Sequence, residues 1–324
     1  MYLITNTRRS GFALVCAWLS LILIQVPTNK SYAAEQRIAV IYPVVKKPYS
    51  AVFERIIDGI AAEAKTGIVK YGLKGDKKQD AAVQAWLATQ EADVIVVLGR
   101  RGIEAARNLE LSIPSVFGGV LYVADTTLEG AVGISLTPSP KQLFTQLKRL
   151  SPRTKRIFVV YNPARYQWLI DVAQPAAAAL GMTLVTKTAE GPRDSAKIHR
   201  DILKEAKRRT DSVWLLQDSS IIDSKTILPM ILKESWNKKL IVFSSNPSDV
   251  PRGILFSFYG DNKVLGRNLT KLALNRLSTR KRPSAFISPL PDALSAVNLR
   301  TAGHLGLHIP FEERRKFGLV FPRK

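Results

Sequence analysis

Cysteine is all but missing from this chain. The 324 residues hold one, Cys16, inside an N-terminal apolar stretch. A chain trimmed past that stretch has no thiol for a disulfide, a thiolate metal site or a cysteine nucleophile. Histidine is nearly as scarce, at His199, His304 and His308, so acid–base chemistry has few candidates. Acid is short too: 26 Asp and Glu stand against 48 Lys and Arg, a net charge of +22. Beyond the N-terminus no segment carries the roughly 20 apolar residues that a membrane-spanning helix needs. There is no Gly-x-x-x-x-Gly-Lys-Ser/Thr phosphate loop, no Gly-x-Gly-x-x-Gly after the first strand and no Gly-x-Ser-x-Gly elbow. These absences give a reading as a non-enzyme without a cofactor. His304 and His308 are four apart, which suits a metal on a helix. Gly306 and Pro310 break that helix and no third ligand is near, so no metal site is expected. His199 lies in a charged segment and is expected to be solvated.

What is present is a globular composition, 46% apolar, in a chain long enough for two cored domains. Arg8 and Arg9 precede an uncharged run from Gly11 to Val26. "NKSYAAEQ" (29–36) follows, with Ser31 and Ala33 as the small residues of a cleavage site. That is the build of a secretory signal over residues 1–33, with an uncleaved anchor as the alternative reading. It gives an expected mature start near Ala34 and a periplasmic location. No small-residue lipobox precedes Cys16, so no lipid anchor is expected. Removing Arg8, Arg9 and Lys30 from +22 leaves +19. The cations are spread in small clusters: Lys46-Lys47, Lys77-Lys78, Arg100-Arg101, Arg208-Arg209, Arg280-Lys281-Arg282 and Arg314-Arg315-Lys316. None has the spacing of a zinc finger, a helix-turn-helix or an aromatic RNA platform. Nucleic acid is therefore not an expected partner.

Strands and helices alternate. "RIAVIYP" (37–43), "ADVIVVLG" (92–99) and "IPSVFGGV" (113–120) read as strands. Between them "SAVFERIIDGIAAEA" (50–64) places Phe53, Ile56, Ile57 and Ile60 on one helix face. The clear strands lack apolar–polar alternation, so both faces are buried, as in a parallel sheet covered by helices. "YGLKGDKK" (71–78) reads as a polar loop. The order then restarts with "RIFVVYNP" (156–163), "DSVWLLQD" (211–218) and "KLIVFSSN" (239–246). Ile38 maps onto Ile157 and Val94 onto Val213 at a common offset of 119. The fold class is α/β, two Rossmann-like three-layer lobes. In such sheets ligands bind beyond the carboxyl ends of strands. Those ends are Tyr42-Pro43, Gly99-Arg100, Gly118-Gly119, Asn162-Pro163, Gln217-Asp218-Ser219 and Ser244-Ser245-Asn246, and turn chemistry favours the same residue types there.

"KLIVFSSNPSDVPRGILFSFYGDNKVLGRN" (239–268) resembles the substrate-binding proteins of ABC transporters, in the family that includes tryptophan and tyrosine binders. Arg252-Gly253, Asp261 and Leu265-Gly266-Arg267 match that family's pattern. "IPSVFGGV" and "VVYNPAR" are similar to two of its strands, and "NLRTAGHLGLHIP" (298–310) to its C-terminal segment. The resemblance runs from about Arg37 to Pro310. It implies a type I periplasmic-binding fold with three crossovers and a ligand closed in the cleft. The implied divisions are a lobe at 34–150, a lobe at 151–275 and a tail at 276–324 returning to the first.

The departures bear on the ligand. Arg100-Arg101 replaces Thr-Pro at a helix start, and Gly118-Gly119-Val120-Leu121-Tyr122 loses hydroxyl and carboxylate. Ala164-Arg165-Tyr166-Gln167 replaces Ser-Glu-x-Asn, and Phe243-Ser244-Ser245-Asn246 replaces Phe-Ala-Ser-Asp. Asp218 and Asp261 remain. Guanidinium favours carboxylate or phosphate, and Tyr42, Tyr166 and Trp168 offer rings. The expected ligand is thus an acidic or aromatic solute, with Arg100 on its acid group and Asp218 and Asn246 at its polar end. The expected function is the solute-binding component of an ABC-type importer, a monomer whose partners are a small molecule and a membrane permease. The alternative on the same fold is a ligand sensor coupled to a membrane receptor or kinase.

Overall fold

A computed structural model of the chain describes residues 36–65, 67–75, 79–109, 113–122, 132–278 and 286–323. The expected signal at 1–33, Cys16, Lys77-Lys78 and Arg280-Lys281-Arg282 lie outside the described residues. Among the described residues no helix is long and apolar enough to cross a membrane.

The chain opens with β1 (Ile38–Pro43), α1 (Ser50–Glu63), β2 (Ile68–Leu73), α2 (Asp80–Gln90), β3 (Val94–Leu98), α3 (Gly99–Asn108), β4 (Ser115–Gly118) and β5 (Val132–Pro138). These strands lie side by side in the order β2-β1-β3-β4-β5, all parallel. Side chains alternate across a strand, so an unbroken apolar run feeds two cores. Ile38, Val40, Val94 and Val96 pack with Ile56, Ile57 and Ile60 of α1. Ala39, Ile41, Ile95 and Val97 pack with Val83 and Leu87 of α2 and Ile103 of α3.

The second sheet repeats that order. α4 (Pro140–Leu150) leads to β6 (Arg156–Tyr161), α5 (Pro163–Ala178), β7 (Thr183–Thr188), α6 (Pro192–Glu205), β8 (Asp211–Leu215), α7 (Ile227–Lys238), β9 (Ile241–Ser244), a 3-10 turn (Pro247–Asp249) and β10 (Phe256–Gly260). The strands stand as β7-β6-β8-β9-β10. On one face an aromatic stack fills the core: Trp214, Phe243 and Phe256 stack in turn with nearly parallel planes, and Phe144 of α4 is set edge-on to the first two. The repeat holds with one adjustment. Ile38 and Ile157 both pack on the helix that follows their strand, but Val94 shares the core of Ile38 on α1, while Val213 lies in the core opposite Ile157, on α6 and α7. The residue that takes Val94's place is Trp214, one step further on.

α8 (Asn262–Ser278) then crosses back to the first lobe, and β11 (Phe286–Leu290) pairs with β5. β12 (Ala293–Asn298) returns to the second sheet antiparallel to β10; after α9 (Leu299–Leu305) and α10 (Phe311–Arg314), β13 (Leu319–Phe321) pairs with β12. The division expected at 276–324 therefore differs from the sheet membership. The return begins earlier, with α8, and residues 293–321 extend the second sheet. The reason for the early return is a glycine-to-glycine crossing: a Cβ on Gly59 of α1 would lie 2.0 Å from the Lys263 carbonyl oxygen, and one on Gly266 of α8 would lie 2.0 Å from that of Ile56. Backbones this close need residues without side chains.

Two local expectations are corrected. Tyr71–Leu73 belong to β2, not to a loop. His199 is fully buried, not solvated: its Nδ1 donates to the Ser195 carbonyl at 2.8 Å and Nε2 has no partner among the described residues. Burial pushes its pKa down, against the hydrogen bond.

Candidate functional site

At the first lobe's strand ends the surface is apolar. Gly99 (φ +73°) and Gly119 (φ +70°) each leave room for the ring of Phe53, which would stand 3.1 and 3.2 Å from a Cβ at those positions. Pro43 closes the same corner. Gly118 faces away from it: a Cβ there would meet Leu269 of α8 at 2.4 Å. Tyr42 lies across Gly72 of the neighbouring edge strand. Arg100 stands on the first turn of α3 with its side chain 84% exposed, 3.5 Å from Glu104 one turn along.

The exit of β4 is held firmly. The Leu121 carbonyl accepts from the buried hydroxyl groups of Ser135 at 2.6 Å and Thr137 at 3.0 Å. This fixes the next residue, Tyr122, whose ring reaches α5 of the second lobe. There it lies 5.8 Å from the Tyr166 ring, and the Arg165 guanidinium carbon sits 5.2 Å from its centre.

On the second lobe, Asn162 caps α5 by accepting from the Ala164 N–H at 3.1 Å, and Pro163 opens the helix. Arg165 follows in the first turn, so it points from the strand end toward β8. Asp218, beyond β8, is buried, and its two oxygens are unequal. Oδ1 accepts from Arg165 at 3.1 Å and from the Ser220 N–H and hydroxyl at 2.9 and 2.6 Å. Oδ2 is buried with no hydrogen-bond partner among the described residues. Arg165, by contrast, is 34% exposed in its side chain. Only one of its nitrogens is engaged with Asp218, which leaves guanidinium donors for another group. Tyr166 is fully buried and donates to the Gln217 carbonyl at 2.6 Å. Burial, with the Asp218 charge second, raises its pKa well above the ordinary tyrosine value, so it remains a hydrogen-bond donor.

The structure thus brings Tyr166, Gln217 and Asp218 together, and adds Arg165, Tyr122 and Phe53, which were not among the expected site residues. Several expected residues are engaged in holding turns. Ser244 donates to Asp249 at 2.8 Å. Ser245 accepts from the Trp214 ring N–H at 2.9 Å. Asn246 caps the 3-10 turn through the Ser248 N–H and donates to Asp249 at 3.2 Å. Burial raises the Asp249 carboxyl pKa, opposed by the Ser244 bond and the Arg252 charge. Asp261 caps α8, accepting from the Lys263 and Val264 N–H groups. Ser219 is exposed. Among the described residues no three His, Cys, Asp or Glu side chains converge as a metal site would require.

The model of one protein family, the ABC transporter substrate binding proteins, matches residues 37–313. No curated protein matches the chain. Solved structures share the fold at low identity. An ABC domain in complex with L-Trp from Streptococcus pneumoniae is 18% identical, covering 89% of this chain and 100% of its own, with a TM-score of 0.54. A ligand-free, open substrate binding protein with adhesive properties from Clostridium difficile is also 18% identical, covering 88% and 99%, with a TM-score of 0.60. A conserved domain protein from Vibrio cholerae is 22% identical, covering 88% and 99%, with a TM-score of 0.51. The fold is the type I periplasmic-binding fold.

Proposed function

The chain belongs to the ABC transporter substrate binding protein family, and we propose that it is the extracytoplasmic, solute-binding component of an ABC-type importer. In this reading residues 1–33 direct export, and a membrane permease receives the solute. One observation carries the choice of solute. Asp218 holds a buried, unpartnered oxygen beside an arginine with free donors. A buried acceptor left unpaired is costly, about 1–3 kcal/mol, and a donor on the solute relieves it. The open side of Arg165 suits a carboxylate or phosphate. The wall of Phe53 and Pro43 suits an apolar or aromatic body. The solute class is therefore a small acid that also carries a hydrogen-bond donor. An aromatic amino acid, such as the L-Trp of the pneumococcal structure, has all three features.

The lobes close around it by hinge bending. The three crossovers supply the hinge, at Pro138–Pro140, Gly260–Asn262 and Leu290–Ala293. They are tied to one another: Gln142 donates to the Pro291 carbonyl at 2.7 Å and Asn268 to Asp292 at 2.9 Å.

Thermal-shift screening of the full chain with amino acids, aromatic acids and hydroxy acids tests this. A solute present at 100 times its Kd adds about 2.7 kcal/mol of stability. Calorimetry of the best solute should then show at least a tenfold loss, about 1.4 kcal/mol, in Arg165→Ala and in Asp218→Asn. No stabilising acid in the screen, or one that binds both variants as tightly as the native chain, ends the proposal.

A further inference from the structure

A second cavity, of about 600 Å3, lies at the opposite end of the second sheet. β9 runs from it, with Val242 in the lining, to the strand end at Ser244, the end at which Asp218 follows the parallel β8. Four separate stretches enclose it: the C-terminal half of α7 with the start of β9, the turn before β10, α9, and the end of β13. Four cations line it, Lys233, Arg252, Arg300 and Arg323, and no Asp or Glu does. The whole chain has 48 basic against 26 acidic residues, so four against none is a local concentration. None of the four makes an ion pair with another described residue.

The wall between them is rigid. Trp236 stacks on His304 with ring centres 3.6 Å apart and planes 4° from parallel. His304 Nε2 donates to the Trp236 carbonyl at 2.8 Å, tying α9 to α7. Arg300 lies 5.8 Å from the centre of the Trp236 ring. Arg252 is anchored by a bond to the Ser224 carbonyl at 2.5 Å. The acid it faces is Asp249, buried beneath the turn, outside the cavity lining and itself held by Ser244 and Asn246. Unpaired like charges held around a concave, partly dry space repel one another and attract an anion. The volume falls in the range of small-molecule sites, roughly 300–1,000 Å3, and a concave cavity favours a small molecule over a flat protein surface.

We propose that this cavity is a second binding site, separate from the interlobe one, for a small organic anion bearing phosphate or carboxylate groups. The test is a titration of the full chain with citrate and with inorganic pyrophosphate, read by calorimetry and tryptophan fluorescence. At least one of the two should bind saturably and change the emission, and the change should vanish in Trp236→Phe. Arg300→Gln and Arg252→Gln should each weaken binding tenfold or more, while Arg165→Ala and the remote Arg208→Gln leave it within twofold. Which probe binds separates a phosphate from a carboxylate preference. Absence of saturable binding by either probe overturns the proposal. So does loss on Arg165→Ala, which places the anion in the interlobe site, or an equal loss on Arg208→Gln, which reduces the effect to the general basic field.

Discussion

Replacing Gly266 by alanine should damage the contact that holds the crossed-over helix α8 on the first lobe. The added Cβ would stand 2.0 Å from the Ile56 carbonyl oxygen, 2.8 Å from the Ile60 nitrogen and 2.9 Å from Gly59 Cα. Ordinary contact begins near 3.4 Å, so the helices must part by about 1.4 Å, the difference between 3.4 and the 2.0 Å clash. All three obstructing atoms are backbone, which no rotamer change can move. The separation also draws Leu265, Leu269 and Ala273, all fully buried, out of their shared core. Overpacking of this kind costs about 1–3 kcal/mol, and a backbone obstruction belongs at the upper end. Alanine gains up to about 1 kcal/mol over glycine in helix propensity, which leaves a net loss of about 1–2 kcal/mol. Gly303, inside α9, is the control, because nothing lies within 4 Å of a Cβ there. The same substitution at Gly303 should leave stability unchanged or raise it by up to about 1 kcal/mol. Urea denaturation of both variants measures the difference. A Gly266→Ala protein as stable as Gly303→Ala would refute the reasoning from backbone contact.

His199 gives a pH prediction. Burial lowers its folded-state pKa below the unfolded value, so the unfolded chain binds the extra proton. Its contribution is intact above the unfolded pKa of about 6.5 and is lost as pH falls below it, by up to about 1.4 kcal/mol per pH unit. His199→Leu should flatten the fall in stability between pH 7 and 5, as followed by denaturation at each pH; an unchanged slope counts against a buried neutral ring. Arg165→Ala should destabilise by about 1–3 kcal/mol, less than the full loss of a buried pair, because a third of the arginine meets water and Ser220 still donates twice to Asp218. Adding Asp218→Asn should recover part of that loss, and a double-mutant cycle with no coupling would remove the pair from the argument. Arg100→Ala should change stability by less than about 0.5 kcal/mol, since its partner Glu104 is also exposed; a larger loss would mean that Arg100 leaves the helix surface for the strand ends.

The central strands were legible because both of their faces are covered. Runs such as Ile38–Ile41 and Val94–Leu98 carry no polar residue that would mark a wet face. The edge strands β2 and β7 were not. They stand last in their sheets, and partial exposure lets Lys70, Gly72, Thr186 and Lys187 interrupt the pattern. His199 was legible in principle. With Ser195, Ile202 and Leu203 it forms the buried stripe of α6, at offsets of four and three, but the charges around that stripe dominate the segment. The site was harder for a chemical reason. Ser, Asn and Asp at a strand end serve a ligand or cap a turn with the same atoms. Asn162, Ser244, Asn246 and Asp261 carry hydrogen bonds that hold turns and helix starts, and only the partners tell the two uses apart.

The motifs that carry the family resemblance belong largely to the scaffold. Gly266 of the Leu-Gly-Arg match is a helix-crossing glycine. Asn298 caps α9 through the Thr301 N–H and binds the Val250 carbonyl through its amide. Gly306, at φ +72°, ends that helix. Gly253, at φ +126°, turns the chain into β10 beside Arg252. These residues answer to backbone geometry, which any member with this chain path must satisfy whatever it binds. In the proposed function the positions that answer to a ligand are those where the chain departs from the pattern. Against the resemblance read from the sequence, Arg165 stands in the place of an acid in the first turn of α5, and Tyr122 lies in the stretch that loses hydroxyl and carboxylate. Both departures meet, since the Arg165 guanidinium lies 5.2 Å from the centre of the Tyr122 ring and also binds Asp218, whose other oxygen has no partner among the described residues. Family membership therefore accounts for the two lobes and their three crossovers, whereas the proposed choice of solute rests on Arg165, Tyr122 and Asp218.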